Sequence, residues 1–200
     1  MAVLMRQARS GAGTIILVLM MLVAGACGGM GTAPDTKLDP ETGATIQRAG
    51  LPIRFYRDNS GRAAYARDYI YVGPLSVNRM GSYHYYLWLG VWSTHSDNVG
   101  ATARHDELEE ITIIADGEPL ALDVAGWTPG TIGVSAPVYE KPVASAIDAF
   151  YLVTLDQIRL ISEARDVSIR TATGGSGRYE VWADDDRGAE AMRQFVRETR

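Results

Sequence analysis

The sequence predicts a mainly β fold, a β-rich α+β domain built as an antiparallel sandwich or partly open barrel with one internal helix and a C-terminal helix. Short runs of β-branched and aromatic residues recur from residue 43 onward, and clusters of Gly, Asp and Asn separate them. The run at 82–94 (SYHYYLWLGVWST) is long and strongly aromatic. Helical periodicity is confined to 154–164 and 187–198. Many strands with few helices favour antiparallel pairing.

The predicted strands follow from these runs and from the turns between them. Asp116-Gly117 lies between two apolar runs and predicts a type I′ hairpin, in which both central residues need a positive φ. Gly73-Pro74 predicts a break or bulge, and Arg79-Met80-Gly81 predicts a turn. The predicted strands are 44–48, 52–57, 64–72, 75–78, 82–94, 109–115, 118–124, 138–139, 146–153, 167–171 and 178–183.

Two helices are predicted from capping and periodicity. Thr154 followed by Gln157 matches a capping box, so a helix begins there and runs to about residue 164. The aspartates at 184–186 place negative charge where a helix dipole favours it, and helix 187–198 follows them. The apolar face of that helix carries Ala189, Met192, Phe195 and Val196. The predicted loops include 95–104 and 126–136.

One face of the aromatic strand is a candidate binding surface. Tyr86, Trp88 and Trp92 share that face, because side chains two apart along a strand point the same way. If the surface is exposed, these rings form a platform for a ligand or partner, since large apolar patches seldom stay open without a use. If helix 187–198 or a second sheet covers it, they are core. Core packing is the favoured interpretation, because both faces of this strand are apolar or aromatic.

The first 27 residues form a targeting pattern. Arg6 and Arg9 precede a short apolar run at 14–24, and three small residues then lead into Cys27. The apolar run is shorter than the roughly 20 residues that a membrane-spanning helix needs. The sequence Ala24-Gly25-Ala26-Cys27 resembles the lipobox of bacterial lipoproteins. An ordinary cleaved signal peptide and a retained anchor remain alternatives.

The lipobox resemblance implies a cellular location and a lipid anchor. In that family the signal is cut before the cysteine, here Cys27, and the sulfur carries a diacylglycerol. Two or three acyl chains hold a protein on its membrane far more firmly than one. The resemblance therefore implies a protein of the cell envelope, anchored to the membrane through lipid on Cys27. Gly28 after the cysteine resembles lipoproteins of the outer membrane, facing the periplasm, if the source is Gram-negative.

The mature chain divides into a tether and one domain. Residues 27–42 are rich in Gly, Pro, Thr and Asp, which predicts a lipidated cysteine followed by a flexible tether. A flexible tether of this length has a root-mean-square reach of roughly 20 Å. Packing of part of it as an irregular N-terminal arm is the alternative. Residues 43–200 are predicted to form a single β-rich globular domain.

The charge balance excludes one large class of partner. The chain carries 19 Lys and Arg against 24 Asp and Glu, a net charge of −5. Cleavage before Cys27 would remove two arginines and make the net charge −7. An acidic chain without a basic cluster is a poor candidate for nucleic acid, whose phosphates are bound by Lys and Arg. Because Cys27 is the one cysteine, the fold contains no internal disulfide.

The spacing of reactive residues indicates no catalytic or metal site. The histidines are His84, His95 and His105, and none belongs to a recognised metal-binding motif. A site formed by His95, Asp97 and His105 is geometrically possible across one loop. No nucleophile elbow occurs, and neighbouring Ser93 and Ser96 do not make a triad. Acidic residues cluster at 107–110 and 184–186, which is typical of solvated edges and helix starts. No cofactor is predicted.

Two functions are compatible with these patterns. The favoured prediction is a membrane-anchored envelope lipoprotein that serves as a non-catalytic binding, scaffold or assembly accessory protein, with another envelope protein as its partner. The alternative is an envelope hydrolase acting on glycan or peptide, which would need His95, Asp97 and His105 to converge. The domain behind the anchor resembles uncharacterised bacterial envelope lipoproteins, and that resemblance implies no particular activity.

Overall fold

The computed structural model describes residues 31–59, 64–94, 101–172, 178–183 and 185–199, with the backbone alone for 101–104. Residues Thr32–Arg200 form one compact unit. The strands in the described ranges are β1 (Asp35–Leu38), β2 (Thr45–Arg48), β3 (Ile53–Asp58), β4 (Arg67–Arg79), β5 (Ser82–Ser93), β6 (Glu110–Ala115), β7 (Glu118–Gly126), β8 (Ile147–Val153), β9 (Val167–Thr171) and β10 (Tyr179–Val181). The helices there are α1 (Ala101–Leu108), α2 (Leu155–Glu163) and α3 (Asp186–Glu198), with a 3₁₀ turn at Pro129–Ile132.

Eight of these strands close into an antiparallel barrel. Their order around the ring is β4-β3-β10-β9-β6-β7-β8-β5, and β5 pairs again with β4. β2 pairs with the second half of β4 and β1 pairs with β2, so these two strands extend the sheet beside the barrel. The prediction of a mainly β fold with barrel architecture is confirmed, and the barrel is closed rather than partly open. Closure removes the exposed edges that an open sheet would present.

The interior of the barrel is filled by side chains. Alternate residues of each strand point inward, so the apolar positions of the strands meet in one core. Ile158 of α2 and Phe195 of α3 join this core, as does Leu108 of α1. The Tyr151 hydroxyl donates a 2.6 Å hydrogen bond to the Leu108 carbonyl oxygen, and burial raises the pKa of that hydroxyl. The barrel is therefore a packed core, as expected for eight strands.

A second core lies on the outside of the barrel. It forms where the loop segment between β7 and β8 folds back over β2, β4, β5 and β8. The residues of this outer core are Ala44, Ile46, Leu75, Val77, Trp88, Ile132, Val134, Val138, Tyr139 and Phe150. The covering segment has no periodic hydrophobic pattern, and the predicted short strand at 138–139 is absent there. Val138 and Tyr139 are nevertheless buried, because they contribute to this core.

Two local predictions are confirmed in atomic detail. Asp116 and Gly117 have φ angles of 48° and 91°, as a type I′ turn between β6 and β7 requires. At the start of α2, the Gln157 backbone N–H donates to Thr154 Oγ1 at 3.2 Å. The Thr154 backbone N–H donates in return to Gln157 Oε1 at 2.8 Å. Both signatures act within a few residues, so tertiary packing does not override them.

Two predictions about the segments between strands are wrong, at least in part. β4 runs unbroken through Gly73-Pro74, and glycine is required there for close packing. A Cβ atom at Gly73 would lie 2.4 Å from the Tyr139 ring, so the missing side chain makes room for the outer core. The predicted loop 95–104 is wrong for 101–104, because α1 begins at Ala101, and residues 95–100 lie outside the described residues.

The tether prediction is wrong for residues 35–42. Asp35–Leu38 forms β1 and pairs antiparallel with β2. The turn that follows is fastened by Asp39, which is only 4% exposed. The Asp39 carboxylate accepts hydrogen bonds from the backbone N–H and the hydroxyl of Ser135, at 2.7 and 2.6 Å. Composition alone missed these long-range contacts. Any flexible segment between Cys27 and the domain is therefore shorter than predicted.

Asp39 should make stability depend on pH. The hydrogen bonds from Ser135 hold the pKa of Asp39 well below its usual value of 3.8. A group with a lowered pKa in the folded state stabilises the fold fully above its ordinary pKa and loses that contribution as pH falls. The free energy of unfolding, measured with urea, should therefore fall as the pH drops below about 4, and this fall should be smaller in Asp39→Asn. Identical pH profiles for the two proteins would contradict a role for this carboxylate.

Candidate functional site

Trp88 is a core residue. It is 1% exposed, and its ring stacks on Tyr139 with centroids 4.9 Å apart. Its Nε1–H donates a 3.0 Å hydrogen bond to Asp148 Oδ1, and the other oxygen of Asp148 lies 3.0 Å from Lys141 Nζ. The indole also covers Gly90, where a Cβ atom would lie 2.5 Å from the ring. Trp88 therefore offers no surface to a partner.

The other two residues of the predicted platform, Tyr86 and Trp92, are partly exposed. Tyr86 packs against the edge of the outer core, and burial raises the pKa of its hydroxyl. Trp92 lies farther along β5 and contacts a different set of rings. Because Trp88 between them is buried, the three residues do not form one open platform. The cover is the segment between β7 and β8, rather than helix 187–198 or a second sheet.

Trp92 belongs to a group of rings on the outer surface, here called the outer aromatic stack: Tyr56, Tyr69, Trp92 and Trp182. Tyr69 stands opposite Trp92 across β4 and β5, and their rings stack with centroids 4.5 Å apart. The other neighbour of Tyr69 is Trp182, at 5.8 Å. Tyr56 meets Trp182 edge to face at 5.4 Å. The four residues come from β3, β4, β5 and the position just after β10, and all of them remain partly exposed.

Arg67 adds a cation to the stack. Its guanidinium carbon lies 5.4 Å from the Tyr56 ring centre and 5.7 Å from that of Trp182. Its Nε also donates a 2.9 Å hydrogen bond to Asp58, and this bond contributes most to a raised pKa of Arg67. A cation over aromatic faces is attracted by their quadrupoles. The result is a surface of Trp, Tyr and Arg that is held in place before any partner arrives.

A groove of about 530 Å³ adjoins the stack, between α2, α3 and β10. Trp182 belongs to both features, so they form one continuous surface. Apolar side chains and charged side chains of both signs line the groove. The apolar lining includes Ile53, Ile161, Val167, Val181 and Ala189, and the charged lining includes Glu163, Arg165, Asp186 and Arg193.

One wall of the groove is fixed by Asp185. Its carboxylate accepts a 2.6 Å hydrogen bond from the Arg54 backbone N–H and lies 3.2 Å from Arg54 Nε. Gly188 on α3 lets the helix approach β3 so closely that a Cβ there would meet the Pro52 carbonyl oxygen at 2.7 Å. The predicted acidic helix start at 184–186 therefore ties α3 to the barrel through its middle residue. Asp184 lies outside the described residues.

A charged cluster lies inside one end of the barrel. Arg57 and Asp68 form a 2.7 Å ion pair, and Asn59 Nδ2 donates to the same Asp68 oxygen at 2.9 Å. The Arg57 guanidinium also lies over the Tyr179 ring, 4.5 Å from its centre. General acid–base catalysis needs a carboxyl group held near its proton-transfer pKa in an apolar cleft. The Asp68 carboxylate instead makes an ion pair with a guanidinium and a hydrogen bond with an amide, contacts that hold the end of the barrel together.

No family model, curated protein or solved structure matches this chain. Within the described ranges, no helix is long and apolar enough to cross a membrane.

The remaining predicted candidates are separated or lie outside the described residues. His105 packs edge-on against Trp127, with centroids 4.4 Å apart, and His84 lies exposed on β5. The Ser93 hydroxyl donates to the Arg67 carbonyl oxygen at 3.3 Å. Among the side chains that the structure describes, no three His, Cys, Asp or Glu residues gather where a metal ion would fit. Cys27, His95, Ser96 and Asp97 fall outside the described residues.

Proposed function

We propose that this chain is a lipid-anchored protein of the cell envelope whose barrel binds another envelope protein without catalysing a reaction. The anchor rests on the lipobox pattern that ends at Cys27. With a diacylglycerol on that cysteine, the domain works at a membrane surface rather than free in solution. The barrel then serves as a scaffold or assembly accessory.

The observation that carries the binding role is the outer aromatic stack with Arg67. Trp, Tyr and Arg are the residue types that dominate the energetics of protein–protein interfaces. Here they lie together, partly exposed and mutually ordered, beside a groove lined by apolar and charged side chains. A partner that covers them would bury large side chains whose conformations are already restricted, so it would lose little entropy on binding.

Ring orientation favours a protein partner over a glycan. Sugars bind best against the flat face of an aromatic ring, but Tyr69 has Trp92 on one side and Trp182 on the other. The Arg67 side chain beside the rings is 42% exposed. The groove next to it is lined by apolar side chains together with charges of both signs, and protein interfaces also combine apolar and polar groups.

The test is site-specific photo-crosslinking in the native envelope. A photoreactive phenylalanine analogue replaces Tyr56 in the stack, and the same analogue replaces Leu152, an exposed residue of β8 outside the stack and groove, as the control. A discrete protein adduct should form from position 56 and not from position 152. Adding Arg67→Glu should reduce that adduct about tenfold or more, as expected for a hot-spot residue.

Two results of this crosslinking experiment would contradict the binding role. One is the absence of any protein adduct at position 56 when the protein is present in the envelope at its normal level. The other is equal, diffuse labelling from both positions, which would mean random collision rather than a defined interface.

A further inference from the structure

The sheet has a free edge at β1. The barrel itself is closed, but β2 and β1 extend the sheet outward from β4. β1 pairs with β2 on one side, and within the described ranges no strand pairs with its other side. All four residues of β1, Asp35–Leu38, are exposed. Such an edge offers unpaired backbone N–H and C=O groups to another strand.

The turn after β1 shows which of its residues face this edge. The Asp39 N–H donates to the Ala44 carbonyl oxygen at 2.8 Å, so these two residues form a hydrogen-bonded pair at the end of the β1–β2 ladder. Hydrogen-bonded and non-hydrogen-bonded pairs alternate along an antiparallel ladder. The first and third residues of β1 therefore bond to β2. The backbone groups of the second and fourth, Thr36 and Leu38, point to the free edge.

The other side of β2 gives the same alternation. The Ala49 N–H donates to the Pro74 carbonyl oxygen at 3.2 Å, so alternate residues of β2, counted back from Ala49, bond to β4. The remaining residues of β2 are those opposite Asp35 and Lys37, and they bond to β1. Two independent hydrogen bonds thus agree on the backbone groups that β1 presents outward.

We propose that two copies of this chain pair along β1, antiparallel, with a two-fold axis at Thr36. Each Thr36 then donates its N–H to the Thr36 carbonyl oxygen of the other copy. Each Leu38 N–H donates to the carbonyl oxygen of Pro34 of the other copy. Proline has no N–H to donate, so the shared ladder ends there. This inference goes beyond the proposed function and depends on neither the outer aromatic stack nor the lipid anchor.

Charge complementarity selects this register. It places Asp35 of each copy opposite Lys37 of the other in a non-hydrogen-bonded pair, where side chains approach most closely. Opposite charges at directly opposed positions stabilise a sheet, and so does a pair of threonines, here at the axis. An axis at Lys37 would also join the outward backbone groups, but it would place the two lysines opposite each other. Like charges at opposed positions are destabilising.

Both charges are available in a single copy. The Asp35 side chain is 53% exposed and lies 3.3 Å from Arg48 Nε. Lys37 Nζ contacts the Pro137 carbonyl oxygen at 3.4 Å, and it forms no ion pair with any residue that the structure describes. In the pair of copies, each Asp35 would lie between Arg48 of its own β2 and Lys37 of the second copy. All three side chains share one face of the continuous sheet.

The other face of the paired strands gains an apolar contact. Leu38 is 66% exposed in one copy, and this register places it opposite Pro34 of the second copy. The contact remains small, because strands this short bury far less than the roughly 1,200–2,000 Å² of a standard interface. Association through β1 should therefore be weak and reversible.

Oxidative crosslinking of the purified full-length protein tests the register. Thr36→Cys puts a thiol at the axis, where the two Cα atoms would be about 5.5 Å apart, within the range of a disulfide. Leu38→Cys is the matched control, since it lies on the same face of the same exposed strand. In this register its two Cα atoms would be about 14 Å apart, too far for a disulfide. The wild type, with Cys27 alone, gives the background.

Mass spectrometry of the crosslinked peptides identifies which cysteines are joined. The disulfide between two copies at position 36 should be several-fold more abundant than the one between two copies at position 38. Equal yields from the two positions would mean random collision and would overturn the inference, as would the absence of the disulfide at position 36. Either failure leaves the proposed function standing, because crosslinking from position 56 in the native envelope tests that function separately.

Two charge variants in the Thr36→Cys background separate strand pairing from misfolding. Asp35→Lys and Lys37→Asp each place like charges opposite one another, so each variant alone should lose the disulfide several-fold. An equimolar mixture brings opposite charges together at both positions and should recover a disulfide that joins one variant to the other. Recovery would show that both variants are folded. Undiminished crosslinking in either variant alone, or a mixture that recovers none, would overturn the register.

Discussion

Trp88→Ala should lower the free energy of unfolding by about 3–5 kcal/mol, the range for removing a fully buried large aromatic side chain. The indole fills the outer core, stacks on Tyr139 and covers Gly90. Its loss leaves a cavity under the segment between β7 and β8, and Asp148 loses one hydrogen-bond donor. Urea unfolding followed by circular dichroism measures the change.

Two control variants, one elsewhere on β5 and one at position 88 itself, help to interpret the Trp88→Ala result. Tyr83→Ala removes an exposed ring from β5 and should change stability by no more than about 0.5 kcal/mol. Trp88→Phe removes the donor to Asp148 but only part of the buried ring volume, so it should destabilise the fold less than Trp88→Ala. A near-neutral Trp88→Ala would mean that the outer core does not form in solution.

Cys27→Ala should abolish lipid attachment and release the protein from membranes. The substitution removes the sulfur that would carry the diacylglycerol and leaves the rest of the signal intact. Growth with an alkyne-tagged fatty acid should label the wild type and give no label on the variant. Since Cys27 is the one cysteine, the change disturbs no disulfide. The variant should accumulate as an uncleaved or soluble form.

Gly29→Ala serves as the matched control for this experiment, because it lies two residues beyond the cysteine. It should retain both fatty-acid labelling and membrane association. Extraction of Cys27→Ala with membranes in the same amount as the wild type would count against a lipid anchor and favour a retained apolar segment.

Local chemistry explains which parts of the fold were predictable. The Asp116-Gly117 turn and the Thr154 capping box are each determined by residues within a few positions of one another, and both are present as predicted. Barrel closure is different. It depends on pairs such as Phe55 with Val181, which are far apart in the chain. Alternating hydrophobicity identifies strands but carries no information about which distant strand each one meets.

The candidate site was harder to predict, because sequence periodicity shows which side chains share a face of a strand but not what packs over that face. Trp88 and Trp92 share the outward face of β5, yet the segment between β7 and β8 covers one and leaves the other partly exposed. Tyr56, Tyr69 and Trp182 were not identified. Tyr69 meets Trp92 across β4 and β5, whereas Trp182 reaches Tyr56 and Tyr69 only when β10 joins β3. Alternation can assign Tyr56 and Tyr69 to one face of their own strands, but it carries no information about which rings adjoin.

The tether prediction shows the opposite error, because it rested on composition and did not account for long-range contacts. Residues 28–42 contain few large apolar groups, which is typical of flexible segments. β1 is ordered all the same, through backbone pairing with β2 and the bonds between Asp39 and Ser135.

The measurement that tests the central claim most directly is mass spectrometry of the mature N-terminus from native membranes. We expect that the first residue is Cys27 and that its mass includes a diacylglycerol. A mature protein that begins elsewhere, or an unmodified Cys27 within an intact leader, would contradict the lipid anchor.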